Sequence, residues 1–316
     1  IIFDKTNPEN FAVGDVVPTG GNIVSNAWNS TNTGMDIIIP INNDESLDSG
    51  RIQIQAKIAA NIYENLGNYN FIVSNDLNNF RTISISENFV RSITGYTEND
   101  TITINAVIFD IPGNSTIGNE SLSKLVINES LPIVINSSIE SDFSDSSLAG
   151  IGNIITLSFE TDTEIQVPSV LISGQPAEIL QIENNNWEAI YAMQGSEPDG
   201  QVLFAIDFVD IHGNPNSEIN NTIDGTSVIF DNSKPSLSYV AIKSSNKDST
   251  WARSGDTIII KFKSNELLTD QIVTIVNNDA EIYEDILNDS IEYYAKYVMG
   301  ETDIEGNIDF EIIVID

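Results

Sequence analysis

The residues best suited to chemistry recur as one five-residue unit, Asp-x-x-Gly-Asn. It stands at Asp110-Ile-Pro-Gly-Asn114 and at Asp210-Ile-His-Gly-Asn214, and Asp316 stands where a third copy would begin. Carboxylate, amide and carbonyl oxygens are the hard donors that Ca2+ collects, six to eight at a time. The same residues also make a self-contained turn, in which Gly adopts positive φ and Asp bonds its own backbone. In the sequence both readings stand open. Other chemistry is sparse. The single histidine, His212, lies inside the second copy and reads as an exposed turn residue, and no second His exists to build a Ser-His-Asp set. Cysteine is absent, which excludes disulfides, thiolate catalysis and Cys-bound zinc or iron–sulfur. No Gly-x-x-x-x-Gly-Lys loop offers a phosphate cradle. With 47 acidic residues, close carboxylate pairs of the glycosidase kind arise by chance, and they are scattered along the chain. The expectation is a protein that is not an enzyme.

A repeated strand positions the unit. Ile102-Thr-Ile-Asn-Ala-Val-Ile-Phe-Asp110 matches Val202-Leu-Phe-Ala-Ile-Asp-Phe-Val-Asp210, and both match Ile308-Asp-Phe-Glu-Ile-Ile-Val-Ile-Asp316. Each alternates apolar and polar residues, the period of a half-buried strand. The spacing near 100 residues is the size of one small β-sandwich. Ile155, Leu157 and Phe159 recur as Ile258, Ile260 and Phe262. Trp187-Glu-Ala189-Ile-Tyr191-Ala-Met193 recurs as Tyr293-Tyr-Ala295-Lys-Tyr297-Val-Met299. These positions share a face and are expected to point inward. In the first repeat, strands are expected over Asp36–Ile41 and Arg51–Ile58, with a helical turn within Ser86–Ile93. Its front half, around Trp28-Asn-Ser-Thr-Asn-Thr-Gly34, aligns with neither of the others.

An apolar residue, then Asp or Asn, then Pro marks each boundary: Phe3-Asp4…Pro8, Ile127-Asn128…Pro132 and Phe230-Asp231…Pro235. Proline lacks a donor and stops the outgoing strand. The expected division is the end of a preceding repeat at 1–3, sandwiches at 4–128 and 129–231, and a third at 232–316. That third copy stops before the stretch equivalent to Thr226–Phe230, so it is expected to lack its last strand and to expose an edge. The links are short, which restricts bending.

The charge is −34, from 13 basic and 47 acidic residues. Nucleic acid and anionic lipid would be repelled and are not expected partners. The charge reads either as a solvated surface or as carboxylates that collect divalent cations. No apolar run is long enough to span a membrane as a helix. Trp28, Trp187 and Trp251 are candidates for stacking on sugars, Trp187 being aligned with a core position. Eight Asn-x-Ser/Thr sequons, Asn29, Asn128 and Asn288 among them, fit the abundance of Asn, Ser and Thr.

Several segments carry a family resemblance. They are Asn186-Trp-Glu-Ala-Ile-Tyr-Ala-Met193, Asp210-Ile-His-Gly-Asn214, Asp224-Gly-Thr-Ser-Val-Ile-Phe-Asp231 and Gly255-Asp-Thr-Ile-Ile-Ile-Lys-Phe262. They resemble the bacterial Ig-like repeats of large cell-surface and adhesin-type proteins. The first repeat looks like a companion type found beside them. The resemblance implies an all-β chain of tandem Ig-like sandwiches, a cell-surface location and a modular, non-catalytic role. In an Ig sandwich the Asp-x-x-Gly-Asn unit would follow strand F, at the end where the chain enters. Asp210 and Asn214 should then lie near Asn128 and Glu129, and Asp316 near Asp231 and Asn232. A Ca2+ ion shared at each joint is the expected cofactor, with Asp110 and Asn114 as the first copy of the site. The expected function is a structural or adhesive segment, an acidic rod whose partners are neighbouring repeats. A surface-layer or filament segment working through contacts with other copies is the alternative, and a module binding surface glycans is a second.

Overall fold

The computed structural model describes residues 3–315 apart from 267, 288 and 289, and without the side chains of 285–291. Strands dominate. They form two compact units, Ile1–Asp231 and Asn232–Asp316. The first unit holds two separate apolar cores, one drawn from Phe11 to Ile127 and one from Val134 to Phe230. The second unit holds a third.

The first sandwich contains β1 (Val16–Thr19), β2 (Ala27–Trp28), β3 (Gly34–Ile41), β4 (Arg51–Ile58), β5 (Asn79–Ser86), α1 (Glu87–Arg91), β6 (Thr101–Phe109) and β7 (Leu125–Ile127). One sheet runs β1-β3-β5 and the other β2-β7-β6-β4. Met35, Ile37, Ile39 and Ile41 of β3 face Ile52, Ile54, Ala56 and Ile58 of β4 across a fully buried interior. The strands and the helical turn read from the sequence are present at these places. The front half, which aligns with nothing, nevertheless builds the parts of the later repeats. β2 pairs in parallel with β7, as its counterpart does in the second sandwich.

The second sandwich contains β8 (Val134–Ser141), β9 (Leu148–Ala149), β10 (Ile154–Thr161), β11 (Ser169–Ile172), β12 (Glu178–Glu183), β13 (Asn186–Ala192), β14 (Phe204–Asp207) and β15 (Ile229–Phe230). One sheet is ordered β8-β10-β13-β12, and β11 pairs β14 opposite it. The chain leading into β15 runs back beside β14, with the Val202 amide donating to the Val228 carbonyl at 2.9 Å. That is the strand order of a constant-type Ig sandwich, four strands against three. Leu157 lies opposite both Ile139 and Ala189, and Phe159 opposite Trp187. All five are buried.

The second unit repeats this order with β16 (Leu237–Ser244), β17 (Thr257–Ser264), β18 (Asp270–Ile275), β19 (Glu281–Leu287), β20 (Ser290–Val298) and β21 (Phe310–Ile315). The sheets run β16-β17-β20-β19 and β18-β21. Tyr293 takes the place of Trp187 and stacks on Phe262, centroids 5.2 Å apart. Its hydroxyl accepts from the Leu268 amide at 3.2 Å, which satisfies the polar end of a buried ring. Among the described residues nothing stands where β15 stands in the second sandwich.

A buried carboxylate braces the second sandwich. Glu197 accepts from the Tyr191 hydroxyl and from the Gln194 amide at 3.1 Å. Burial pushes its carboxyl up, but these donors and the Gly195 amide outweigh that and hold it below the usual range. Its contribution is therefore complete above the ordinary carboxylate range and disappears as pH falls through the depressed value. Glu197→Gln should lower the melting temperature by roughly 3–6 °C at pH 7. The gap should close on acidification, and thermal unfolding from pH 7 to 2 reads it. In the core, Leu157→Ala should cost about 2–5 kcal/mol in denaturant unfolding. Leu122→Ala, at a side chain 98% exposed, should change stability by less than about 0.5 kcal/mol.

Candidate functional site

Both Asp-x-x-Gly-Asn turns in the first unit close on their own Asp carboxylate, differing only in whether Oδ1 also takes the amide two residues on or, past Pro112, three. Asp210 Oδ1 accepts from the amides of His212 at 2.9 Å and Asn214 at 2.8 Å, and Oδ2 accepts from Asn214 Nδ2 at 2.9 Å. Asp110 Oδ1 accepts from the amides of Gly113 and Asn114, both at 2.7 Å, and Oδ2 from Asn114 Nδ2 at 2.8 Å. Gly113 and Gly213 have φ of 102° and 93°, which only glycine adopts freely. The carboxylate thus folds the turn around itself and leaves the outer carbonyls and the Asn side-chain oxygen facing away.

In the second sandwich those outward groups meet the first. Loop 20–33 supplies Asn22 Nδ2, which donates to the Gly213 carbonyl at 2.9 Å, and Asn29 Nδ2, which donates to the His212 carbonyl at 2.7 Å. The Ser30 amide donates to Asn214 Oδ1 at 2.8 Å. Asn214 Nδ2 reaches the linker, donating to Asn128 Oδ1 at 2.7 Å and its carbonyl at 3.0 Å. These contacts span 86 to 191 residues of sequence. Asn29 and Asn214 are fully buried by them. Each such bond contributes about 1 kcal/mol net, and stranding one buried partner costs about 1–3 kcal/mol.

Loop 20–33 is itself held. Asn32 Oδ1 accepts from the Asn29 amide at 2.8 Å, and Asn32 Nδ2 donates to the Gly20 carbonyl at 3.0 Å. The linker is clamped from the other side. Glu129 receives Trp28 Nε1 at 3.2 Å and Arg91 Nη1 at 2.8 Å, and Glu98 receives the Glu129 amide at 2.9 Å. Beyond Pro132, the Ile133 amide donates to Asp162 Oδ1 at 2.9 Å.

The structure therefore brings Asp210, Asn214 and Asn128 together. Glu129 turns toward Arg91 and Trp28. Asp110 and Asn114 form the same turn on the first sandwich, where Gly113 is exposed and no atom lies within 4 Å of the Cβ position. The Asp231 amide donates to the Ala149 carbonyl at 2.9 Å, as the Asn128 amide does to the Trp28 carbonyl at 2.8 Å. Asn232 opens the second unit. Asp316 and the sequon at Asn288 lie outside the described residues. His212, read as exposed, is half-buried because its turn packs on loop 20–33. Asn29 is a sequon whose amide is spent inside the joint, so it is closed to glycan attachment. Trp28 and Trp187 are buried and present no platform for sugar, while Trp251 is 72% exposed. The sequence reading missed Asn22, Asn29 and Ser30. The one available signal was the density of Asn, Ser and Thr in a loop that alternates in no period.

At the joint the Asn214 amide occupies the point where the carboxylate and the linker meet. Asp210 Oδ2 and two oxygens of Asn128 converge on Asn214 Nδ2, and both Asp210 oxygens accept hydrogen bonds. Among the described residues no group of three or more His, Asp or Glu gathers as a metal cluster.

No family model matches the chain, and no curated protein matches it. Among solved structures it is similar to a Ca2+-stabilised adhesin by which an Antarctic bacterium binds ice. The identity is 12%, over 97% of this chain and 73% of that one, with a TM-score of 0.46. It is similar to a 1.5-MDa bacterial ice-binding adhesin at 11%, over 92% and 88%, TM-score 0.35. It is similar to the I9–I11 tandem of titin at 8%, over 98% and 94%, TM-score 0.30. All three scores lie below one half, and the sandwich assignment rests on the strand order given above.

Gly213→Ala and Gly113→Ala impose the same backbone strain, but only at 213 would the new Cβ fall 2.6 Å from Asn29 Nδ2. Gly213→Ala should therefore cost about 1–3 kcal/mol more than Gly113→Ala in thermal unfolding.

Proposed function

We propose that this chain is a structural segment of a cell-surface repeat protein, an acidic rod that holds its first two sandwiches at a fixed angle and keeps itself soluble through its acidic surface. The observation that carries the reading is the locked joint. The turn Asp210–Asn214, the loop 20–33 and the linker at Asn128 are tied by hydrogen bonds that bury Asn29 and Asn214. Such a lock suits a spacer, because free rotation at the joint would shorten its reach. Neighbouring repeats of the same long chain are its first partners. The division into sandwiches at 4–128, 129–231 and 232–316, with the preceding repeat ending at 1–3, belongs to the same reading.

In this reading the Asn214 amide does the stiffening that a shared Ca2+ would do. Asn29→Ala combined with Asn214→Ala should free the joint between the first two sandwiches. Small-angle scattering of the full chain should then fit a broader distribution of maximum dimensions than the parent gives. An unchanged distribution would sink the locked-joint reading. Calorimetric titration with Ca2+ separates the two stiffening agents. The amide reading expects no saturable heat that depends on Asn128 and no rise in melting temperature. A saturable heat abolished by Asn128→Ala would establish the ion instead.

A further inference from the structure

Charge is spread unevenly along the chain. Between Lys124 and Lys234 stand 17 acidic residues and no Lys or Arg, whereas residues 232–316 hold seven of the 13 basic residues. Four of these seven gather on one sheet face of the third sandwich. Ile258, Ile260 and Phe262 of β17 are buried in the core, so Ile259, Lys261 and Lys263 point outward. Register places Lys243 and Lys296 on either side of Ile259, and Ala241 and Tyr294 on either side of Lys261. Tyr239 and Tyr283 complete the face at its edges and are 47% and 41% exposed. Lys296 Nζ lies 4.3 Å from the Tyr283 ring centroid, and Lys261 Nζ 5.3 Å from that of Tyr294. Glu292 takes Lys261 at 2.5 Å and Lys263 at 2.6 Å, and Glu281 lies opposite Lys296. The described side chains of the face therefore sum to a positive charge, with Lys243 and Lys296 exposed.

The same sheet of the second sandwich carries the opposite sign at the same places. Glu140 lies opposite Thr156 as Lys243 lies opposite Ile259, and Glu160 opposite Asn136 as Lys263 opposite Tyr239. Glu188 and Glu178 extend the acidic face over β13 and β12, with Leu180 opposite Glu188 and Ile190 opposite Glu178. Both faces are built on the same order of antiparallel strands. Their charges therefore fall at matching intervals, about 4.8 Å across the strands and about 6.7 Å along them.

We propose that the lysine–tyrosine face of the third sandwich docks on the glutamate face of the second sandwich in another copy of this chain. Charge complementarity selects the occupant, because every copy carries an acidic sheet of the same spacing. The tyrosine rings find apolar side chains there, Leu180 and Ile190, to pack on. The two faces differ, so the contact is heterologous and leaves each copy a face for the next. Four strands of about eight residues offer about 400–500 Å2 on each side, the size of a weak, reversible contact. Its strength passes through a maximum in salt. Each copy carries −34, and at about 0.01 M salt a Debye length of about 30 Å lets whole molecules repel. Near 0.15 M that length is about 8 Å, which screens distant charges and spares those in contact. At about 1 M it is about 3 Å, and the contact itself is screened. The contact goes beyond the rod reading and needs no locked joint.

Sedimentation velocity of the full chain tests this. The average mass should rise with protein concentration at about 0.15 M salt, and should rise less at about 0.01 M and at about 1 M. Lys243→Glu with Lys296→Glu should abolish the rise, and so should Glu140→Lys with Glu178→Lys. All four positions are exposed, so both variants should melt as the parent does. Each variant alone sets like charges face to face. An equal mixture of the two sets opposite charges face to face again and should regain the parental association. A parent that stays monomeric up to about 1 mM, where contacts of this size still associate, would overturn the proposal. So would association that grows steadily with salt, which marks an apolar contact, or variants that associate as the parent does. A mixture that stays monomeric while both variants keep the parental melting would overturn it too. A monomeric chain that binds polygalacturonate through Lys243 and Lys296 would give the face to an anionic glycan instead.

Discussion

The carboxylate of Asp210 is the interaction on which the joint depends. By accepting the amides of His212 and Asn214 and the Asn214 side chain, it satisfies the inward donors of a five-residue turn. What is left over points outward: two carbonyls and one amide oxygen, at fixed positions. A turn that had to find its shape on contact would lose that order in the contact itself. Here the ordering is intrinsic to the turn, since Asp110 holds the first sandwich's copy in the same shape with no loop packed on its glycine. The neighbour needs only a loop with donors at matching places, and Asn22, Asn29 and Ser30 provide them.

The same economy runs through the sandwiches. One pair of sheets is used three times, with side chains exchanged at fixed positions. Phe159 against Trp187 becomes Phe262 against Tyr293. The exchange brings a hydroxyl into the third core, and the Leu268 amide meets it. Tyr191 with Glu197 becomes Tyr297 with Asp303, in each case a ring hydroxyl donating to a carboxylate that also receives a backbone amide. The polar pair persists through repetition because each member keeps its partner.

Much of this was legible in the residues. Period-two alternation marked β6, β10 and β17, because a strand half inside a core must alternate. Proline marked the links. The turn's place beside Asn128 followed from strand order once the sandwich was assumed. The loop across the joint was not legible. Asn22, Asn29 and Asn32 work through side-chain amides whose partners lie up to 191 residues away, and no local period encodes such a contact. The mismatch of the first repeat's front half hid the equivalence of β2 and β9, because those pairings are made by backbone groups that any residue carries. Trp28 looked polar by its neighbours and is buried, since its surroundings are set by β7 and Glu129 from a distant part of the chain.

Gly213 has a consequence for how such a chain changes over generations. A side chain there would need room already held by Asn22, Val24 and Asn29, which belong to the preceding sandwich. The two halves of the joint are therefore free to drift only as a pair. Duplication or shuffling of single repeats would part a turn from the loop that fits it. Units cut from turn to loop, across the sandwich boundary, would keep the fit. At this joint the heritable module then runs across the boundary between the first two sandwiches, from the loop of one to the turn of the next.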